Sequence, residues 1–85
     1  MFYVYLLRSR THGQYYVGYT NDLKKRLYSH NKEVNQATKA YAPWDLVYYE
    51  AYMTSQAARN RERILKHHGR TLAGLKRRIV TGQST

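Results

Sequence analysis

Phe2 to Arg8 is a run of aromatic and aliphatic residues that reads as a strand, and Gln14 to Tyr19 reads as a second. The polar stretch Ser9 to Gly13 between them suits a turn, so the two form a hairpin. Thr20-Asn21-Asp22 supplies helix caps, and Leu23, Leu27 and His30 follow at helical spacing up to about Asn31. Lys32 to Ala42 is polar and irregular, with one helical turn expected at Gln36 to Lys39. Pro43 closes that segment, and Pro43-Trp44 sets up a third strand, Trp44 to Tyr52. Thr54 or Ser55 caps a helix through about Lys66, and Gly69 reads as its stop. Thr71 then caps a last helix, with Leu72, Leu75 and Ile79 on one face and Gln83 to Thr85 fraying. The order ββα(α)βαα predicts an α+β fold: a three-stranded antiparallel sheet flanked by helices, one core, and one domain over residues 1–85.

Strand side chains alternate between faces, so Tyr5 shares a face with Tyr3 and Leu7, and Tyr16 with Gly18 and Thr20. With a loop at Ser9 to His12, Arg8 faces Gly13 and Tyr5 lies directly opposite Tyr16; a one-residue slip separates them. Gly18 stands out, because a glycine weakens a strand unless something must approach the backbone. It either keeps a floor open beside two phenols or marks a bulge or a tightly packed helix.

Leu23, Arg26, Leu27 and His30 fall in one narrow arc of the first helix, so Arg26 and His30 flank an apolar stripe. Arg26 snorkels there or reaches a ligand; His30 makes a structural hydrogen bond or joins a site. Glu62 is set among Arg59, Arg61, Arg63 and Lys66, at the edge of the face carrying Ala58 and Leu65. A Glu62–Lys66 surface pair, worth ~0.2–0.5 kcal/mol, is the simplest role for it.

Charge changes the picture most. Fifteen Lys and Arg against five Asp and Glu give a formal net charge of +10. Such a domain suits a polyanion, nucleic acid ahead of an anionic membrane surface. Ten tyrosines, one Phe and one Trp add stacking surface, although most aromatics in a small domain fill its core; Trp44 is expected to pack. Lys39 and the cluster Lys76-Arg77-Arg78 are candidate phosphate contacts, and His67-His68 diverge too far on a helix to share a metal. With no cysteine, disulfides and thiolate metal sites are excluded. Apolar runs such as Val4 to Leu7 are too short to span a membrane, and Met1 leads straight into strand residues without a basic n-region. A cytoplasmic location is expected.

Tyr3-Val4-Tyr5 followed by Tyr16-Val17-Gly18, with the runs YVGYTNDLKKRLYSHN, PWDLVYYEAY and ARNRERILK, resembles the GIY-YIG nuclease superfamily from Phe2 to about Val80. It is most similar to the small stand-alone bacterial GIY-YIG proteins. The resemblance implies an endonuclease that hydrolyses DNA phosphodiester bonds. It makes Arg26 a contact to the scissile phosphate, adds His30 to the site, and gives Glu62 a single divalent metal, Mg²⁺ or Mn²⁺. Tyr5 and Tyr16 become candidates to orient or deprotonate the attacking water; a phenol with an ordinary pKa of about 10 needs nearby positive charge for the second role.

The chain departs from the motif in reading YVY rather than GIY, so only Tyr5 carries over from the first half. It also lacks the Asn that many relatives carry in the last helix, Gln83 falling too late. With no second DNA-binding domain, weak or structure-guided action on branched or damaged DNA is implied, with a larger protein partner choosing the target. A noncatalytic nucleic-acid-binding module, or an accessory subunit of a DNA-processing complex, is the alternative.

The excess of cations predicts sequence-tolerant DNA binding that weakens steeply as salt rises, because bound counterions are released from the phosphates. Titrations at several salt concentrations measure the slope; a flat response argues against this basic surface as the binding site.

Overall fold

The computed structural model describes residues 1–32 and 38–83. Strand β1 (Phe2–Ser9) lies at the centre of the sheet, with β2 (Tyr15–Thr20) on one side and β3 (Trp44–Tyr52) on the other, both antiparallel to it. Being central, β1 is covered on both faces, and Val4, Tyr5, Leu6 and Leu7 are all buried. This is why its sequence is a continuous apolar run without polar alternation.

Helices α1 (Leu23–Asn31), α2 (Ser55–His67) and α3 (Gly69–Gln83) cover the sheet from two sides. Instead of one core there are two. On one face Val4, Leu6 and Val17 pack against Ala58 and Leu65 of α2 and Leu75 of α3. On the other, Tyr5, Leu7 and Trp44 pack against Leu23 and Leu27 of α1. Trp44 is buried, as its expected packing role requires.

The caps follow the sequence closely. An Asp22 carboxylate oxygen accepts from the Lys25 amide at 3.1 Å, and the Thr54 hydroxyl from the Ala57 amide at 3.2 Å. The last helix does not follow: it begins at Gly69, so Thr71 is inside it. His68 makes the whole connection. Its amide donates to Ile64 at 2.9 Å to close α2, and its carbonyl accepts from Thr71 at 3.0 Å to open α3. Among the described residues Gly13, not Gly69, has the left-handed backbone, with φ of 71°. The helical turn expected at Gln36 to Lys39 falls mainly outside the described residues; a short 3₁₀ turn, Lys39–Tyr41, adjoins it.

Gly13 sets the hairpin register. The Ser9 amide donates to Gln14 at 2.8 Å and the Gly13 amide to Ser9 at 2.9 Å, so four residues form the loop. Arg8 consequently pairs with Tyr15, Leu7 with Tyr16 and Tyr5 with Gly18. The register is offset by two residues from the one expected. An even offset preserves the faces, so Tyr5 and Tyr16 stay on one side of the sheet, diagonal rather than opposite.

A bulge governs β3. Leu7 pairs with Leu46 but Leu6 pairs with Tyr48, leaving Val47 as an extra residue. Trp44 and Leu46 thereby join the α1 side, while Tyr48, Glu50 and Tyr52 pair across from Leu6, Val4 and Phe2 on the α2 side. There Arg61 of α2 grips the Glu50 carboxylate with two bonds of 2.9 and 3.0 Å, and the Tyr48 and Tyr52 hydroxyls donate to it as well. Burial alone would raise the Glu50 carboxyl, but the bonds from Arg61, Tyr48 and Tyr52 outweigh it and hold it down at about 2. Burial, with the bond to Glu50, pushes the Tyr52 phenol up to about 12.

This network staples α2 to the sheet. Because the folded-state value of Glu50 lies below its ordinary 4.5, the unfolded chain binds more protons between the two. The stability it contributes is complete above pH 4.5 and is lost as pH falls towards 2. Glu50→Gln is expected to cost about 2–4 kcal/mol in urea melts at neutral pH, by leaving Arg61 without its ion partner, and to flatten this acid limb. An unchanged melting profile across that range would contradict the staple.

Candidate active site

The site is built on the α1 side of the sheet, where Tyr5 and Gly18 form a cross-strand pair. The Tyr5 ring lies flat over Gly18: a Cβ at that position would collide with the Tyr5 hydroxyl and ring carbons. The strand glycine therefore makes room for a phenol to lie against the backbone. Tyr5 is buried, and the half-buried Tyr16 ring is centred 6.5 Å from it.

From α1, His30 reaches under both rings. It is fully buried, its Nε2 is 2.8 Å from the Tyr5 hydroxyl, and its ring is centred 5.0 Å from Tyr16. Its Nδ1 is 2.7 Å from the hydroxyl of buried Thr38. The Thr38 carbonyl in turn accepts from the Trp44 indole at 3.0 Å. His30 thus has the structural hydrogen bond its position suggested, and that bond is to a candidate catalytic tyrosine. Thr38 was invisible in the sequence, because it lies in an irregular segment without periodicity.

Burial, then the Arg26 charge, lowers the proton affinity of His30, which holds a neutral imidazole at pH 7. A neutral ring donates from one nitrogen and accepts at the other, so the Tyr5 and Thr38 hydroxyls take opposite roles towards it. Burial likewise pushes the Tyr5 phenol far up, reinforced by Tyr16 and by the Glu62 carboxylate, with Arg26 acting in the opposite sense. Tyr5 therefore stays a protonated phenol at neutral pH.

Arg26 and Glu62 are thus both within electrostatic reach of the Tyr5 hydroxyl, although they come from different helices. Arg26 is exposed and lines a hollow of about 310 Å³ with Thr20, Lys25 and Ser29. Glu62 is half-buried and takes Lys66 at 3.0 Å, the i,i+4 pair expected from spacing. The Lys66 ammonium lies 5.8 Å from the centre of the Tyr16 ring, so this ordinary helix pair borders the tyrosines. Other residues stand apart. Lys76 lies 4.5 Å over the ring of Tyr15, on the opposite face of the sheet, and Arg77 is exposed on α3. Lys39 is exposed on the 3₁₀ turn, one residue after Thr38.

The family model for the GIY-YIG catalytic domain matches residues 1–78. The chain belongs to the GIY-YIG family. It is similar to a UPF0213 protein of Streptococcus pneumoniae serotype 4, 36% identical over 69 residues, covering 80% of this chain and 69% of that one. A UPF0213 protein of Bacillus pumilus is 41% identical over 61 residues, covering 71% of this chain and 61% of that one. The chain thus spans roughly two thirds of the length of such relatives. The solution NMR structure of a UPF0213 protein from Bacillus halodurans shares the fold, with a TM-score of 0.52, 30% identity and coverage of 89% and 86% of the two chains.

The two halves of the GIY-YIG motif meet physically as Tyr5 on Gly18. GIY-YIG nucleases use a divalent metal. Among the described residues no three of His, Cys, Asp and Glu form a metal cluster. Asp22, which lines the Arg26 hollow, is engaged as the cap of α1, and the carboxylate that borders the tyrosines is that of Glu62. That donor set fits a magnesium-type ion, which keeps several waters and shares a phosphate oxygen. It does not fit zinc, which wants four protein or near-protein ligands. Among the described residues no helix is long and apolar enough to cross a membrane.

Gly18→Ala tests the packing. The added methyl must displace the Tyr5 ring, with an expected cost of about 1–3 kcal/mol in denaturant melts. Loss of the Tyr5–His30 bond would appear as a shift of the His30 ring resonances. An alanine variant as stable as the parent, with those resonances in place, would mean that the ring does not need the bare backbone.

Proposed function

We propose that this protein is an endonuclease that hydrolyses DNA phosphodiester bonds with one divalent cation, Mg²⁺ or Mn²⁺, held at Glu62. The observation that carries the reading is the buried Tyr5–His30 bond at 2.8 Å, with Tyr16, Arg26 and the Glu62–Lys66 pair arrayed around it. A buried polar pair of this kind, set beside exposed cations, serves a ligand better than it serves a core.

In this reading Arg26 binds two oxygens of the scissile phosphate through its planar guanidinium. Tyr16 takes the proton of the attacking water. Tyr5, kept protonated and fixed by His30, orients the water or the phosphate through its hydroxyl. The water oxygen bonds to phosphorus in line as the bond to the 3′-oxygen breaks, and the 3′-oxygen takes a proton from solvent, giving a 3′-hydroxyl and a 5′-phosphate. When bound, the cation supplies positive charge beside the phosphate and the leaving oxygen. Lys39, Lys76 and Arg77 contribute phosphate contacts outside the cutting site. Specificity is weak or structure-guided, towards branched or damaged DNA in cytoplasmic DNA repair, with a larger protein choosing the target. The missing Asn of the last helix favours one other reading, a binding module that keeps the fold and the charge without the reaction.

Cleavage of supercoiled plasmid and branched DNA, with Mg²⁺ and with chelator, separates the two. Glu62→Ala is expected to abolish metal-dependent cutting while DNA binding is kept or improved, since a negative charge leaves a basic helix. Tyr16→Phe should remain folded by circular dichroism and lose at least about 100-fold in rate. Folded Glu62→Ala cutting as fast as the parent would rule out the metal role of this glutamate. A parent inert with every divalent ion would leave the binding module.

A further inference from the structure

Seven of the ten tyrosines pack in or against the two cores; Tyr3, Tyr28 and Tyr49 do not. Tyr3 and Tyr49 meet each other. Tyr49 pairs directly across from Tyr5, and Tyr3 precedes Tyr5 by two residues, so all three rings rise from the same face of the sheet. Helix α1 covers only part of that face: Leu23 and Leu27 pack on the Tyr5–Leu7–Trp44 group. Beyond it the Tyr3 and Tyr49 rings stand edge to face, centres 6.0 Å apart, and Tyr49 remains 53% exposed. Met1 and Met53, next to the ends of β1 and β3, are exposed as well.

Two further observations say what this surface meets. Tyr3 pairs with Thr20, and Thr20 lines a hollow with Lys25, Arg26 and Asp22; the two cations outnumber the one carboxylate, which is engaged by the Lys25 amide as a helix cap, so the aromatic surface borders a net positive site. Glu50, whose carboxylate would repel a polyanion, is turned to the other face by the β3 bulge and neutralised by Arg61. The fold does not require these rings. The GIY-YIG motif has glycine where this chain has Tyr3, and neither tyrosine belongs to a core. Phenol rings beside phosphate-binding cations are the recognition elements of unpaired nucleotides, since every base presents a π-face.

We propose that Tyr3 and Tyr49 form a stacking platform that receives an unpaired base beside the phosphate held by Arg26. The inference rests on the nuclease reading for the role of Arg26 and extends it to the kind of strand preferred. Single-stranded DNA, or the unpaired arm of a branched one, lays a base on the platform while its phosphates cross Lys25 and Arg26. A fully paired duplex keeps its bases stacked inside and gains nothing from the rings.

The test is binding without catalysis. Fluorescence anisotropy in chelator compares a short labelled oligonucleotide, single-stranded or as a blunt duplex, with the parent, Tyr3→Ser/Tyr49→Ser and Tyr3→Phe/Tyr49→Phe. Removing both rings is expected to weaken single-strand binding at least about tenfold, to leave duplex binding unchanged, and to be reversed in the phenylalanine pair, which restores the stacking faces. Circular dichroism checks folding, and a Tyr49→Trp variant, whose new indole is exposed, should be quenched by the single strand. Equal loss on both DNAs, or no loss on either, overturns the platform. So does light scattering that shows a parent dimer reduced to monomer by the serine pair with single-strand affinity intact; the face would then belong to a second copy. Because no cutting is read, an inert parent in the plasmid assay would refute the nuclease reading and leave this result standing.

Discussion

The ring of Tyr5 lying on the bare backbone of Gly18 is the contact on which the rest of the site depends. It requires β1 and β2 to pair in one register, because only Gly18 has room for the ring. It requires α1 to close over that pair, because a buried phenol needs a hydrogen-bond partner, and His30 supplies it. His30 in turn needs Thr38 at its other nitrogen, and Thr38 is tied to Trp44 at the start of β3. One close approach thus links both hairpin strands, the first helix, the irregular segment and the third strand.

The acidic residues show how a strongly basic chain folds. Four of the five carboxylates lie among the described residues, and each has a structural partner. Asp22 caps α1, Asp45 pairs with Arg10 at 2.8 Å, Glu50 holds Arg61 and Glu62 holds Lys66. Asp45 and Arg10 are exposed enough that solvent screening leaves their pair a modest contribution. Glu50 is the stronger one, with several donors converging on it in a half-buried place. Glu62 differs from the other three because its ion pair borders the tyrosines.

Much of the architecture was legible because local chemistry decides it. Asp22 and Thr54 start their helices where short polar side chains precede helical periodicity, and the strands appear where aromatic and branched residues cluster. The shared face of Tyr5 and Tyr16 was legible too, since it depends only on the parity of the register. The register itself was not: Gly13, with its left-handed conformation, lies inside the loop, so the four loop residues are 10 to 13 where 9 to 12 were expected, and the pairing moves by two. The start of α3 was misjudged at Thr71 because Gly69 looked like a stop, whereas a single residue, His68, suffices to join two helices when both pack on the same sheet face.

By itself the sequence determined the element order, the starts of the first two helices and the excess of cations, because spacing, capping and charge are properties of neighbours along the chain; the set Tyr5, Tyr16, Arg26, His30 and Glu62 was named by resemblance to the GIY-YIG family. Only the tertiary structure decided which tyrosine is buried against Gly18, that Thr38 completes the hydrogen bonding of His30, and that the sheet carries a core on each face. The bulge at Val47 also belongs to this second group. It arises from how β3 pairs with β1, and it sends Glu50 to Arg61 on one face and Tyr49 to Tyr5 on the other. Partners from distant parts of the chain select those positions, and no pattern among neighbouring residues encodes them.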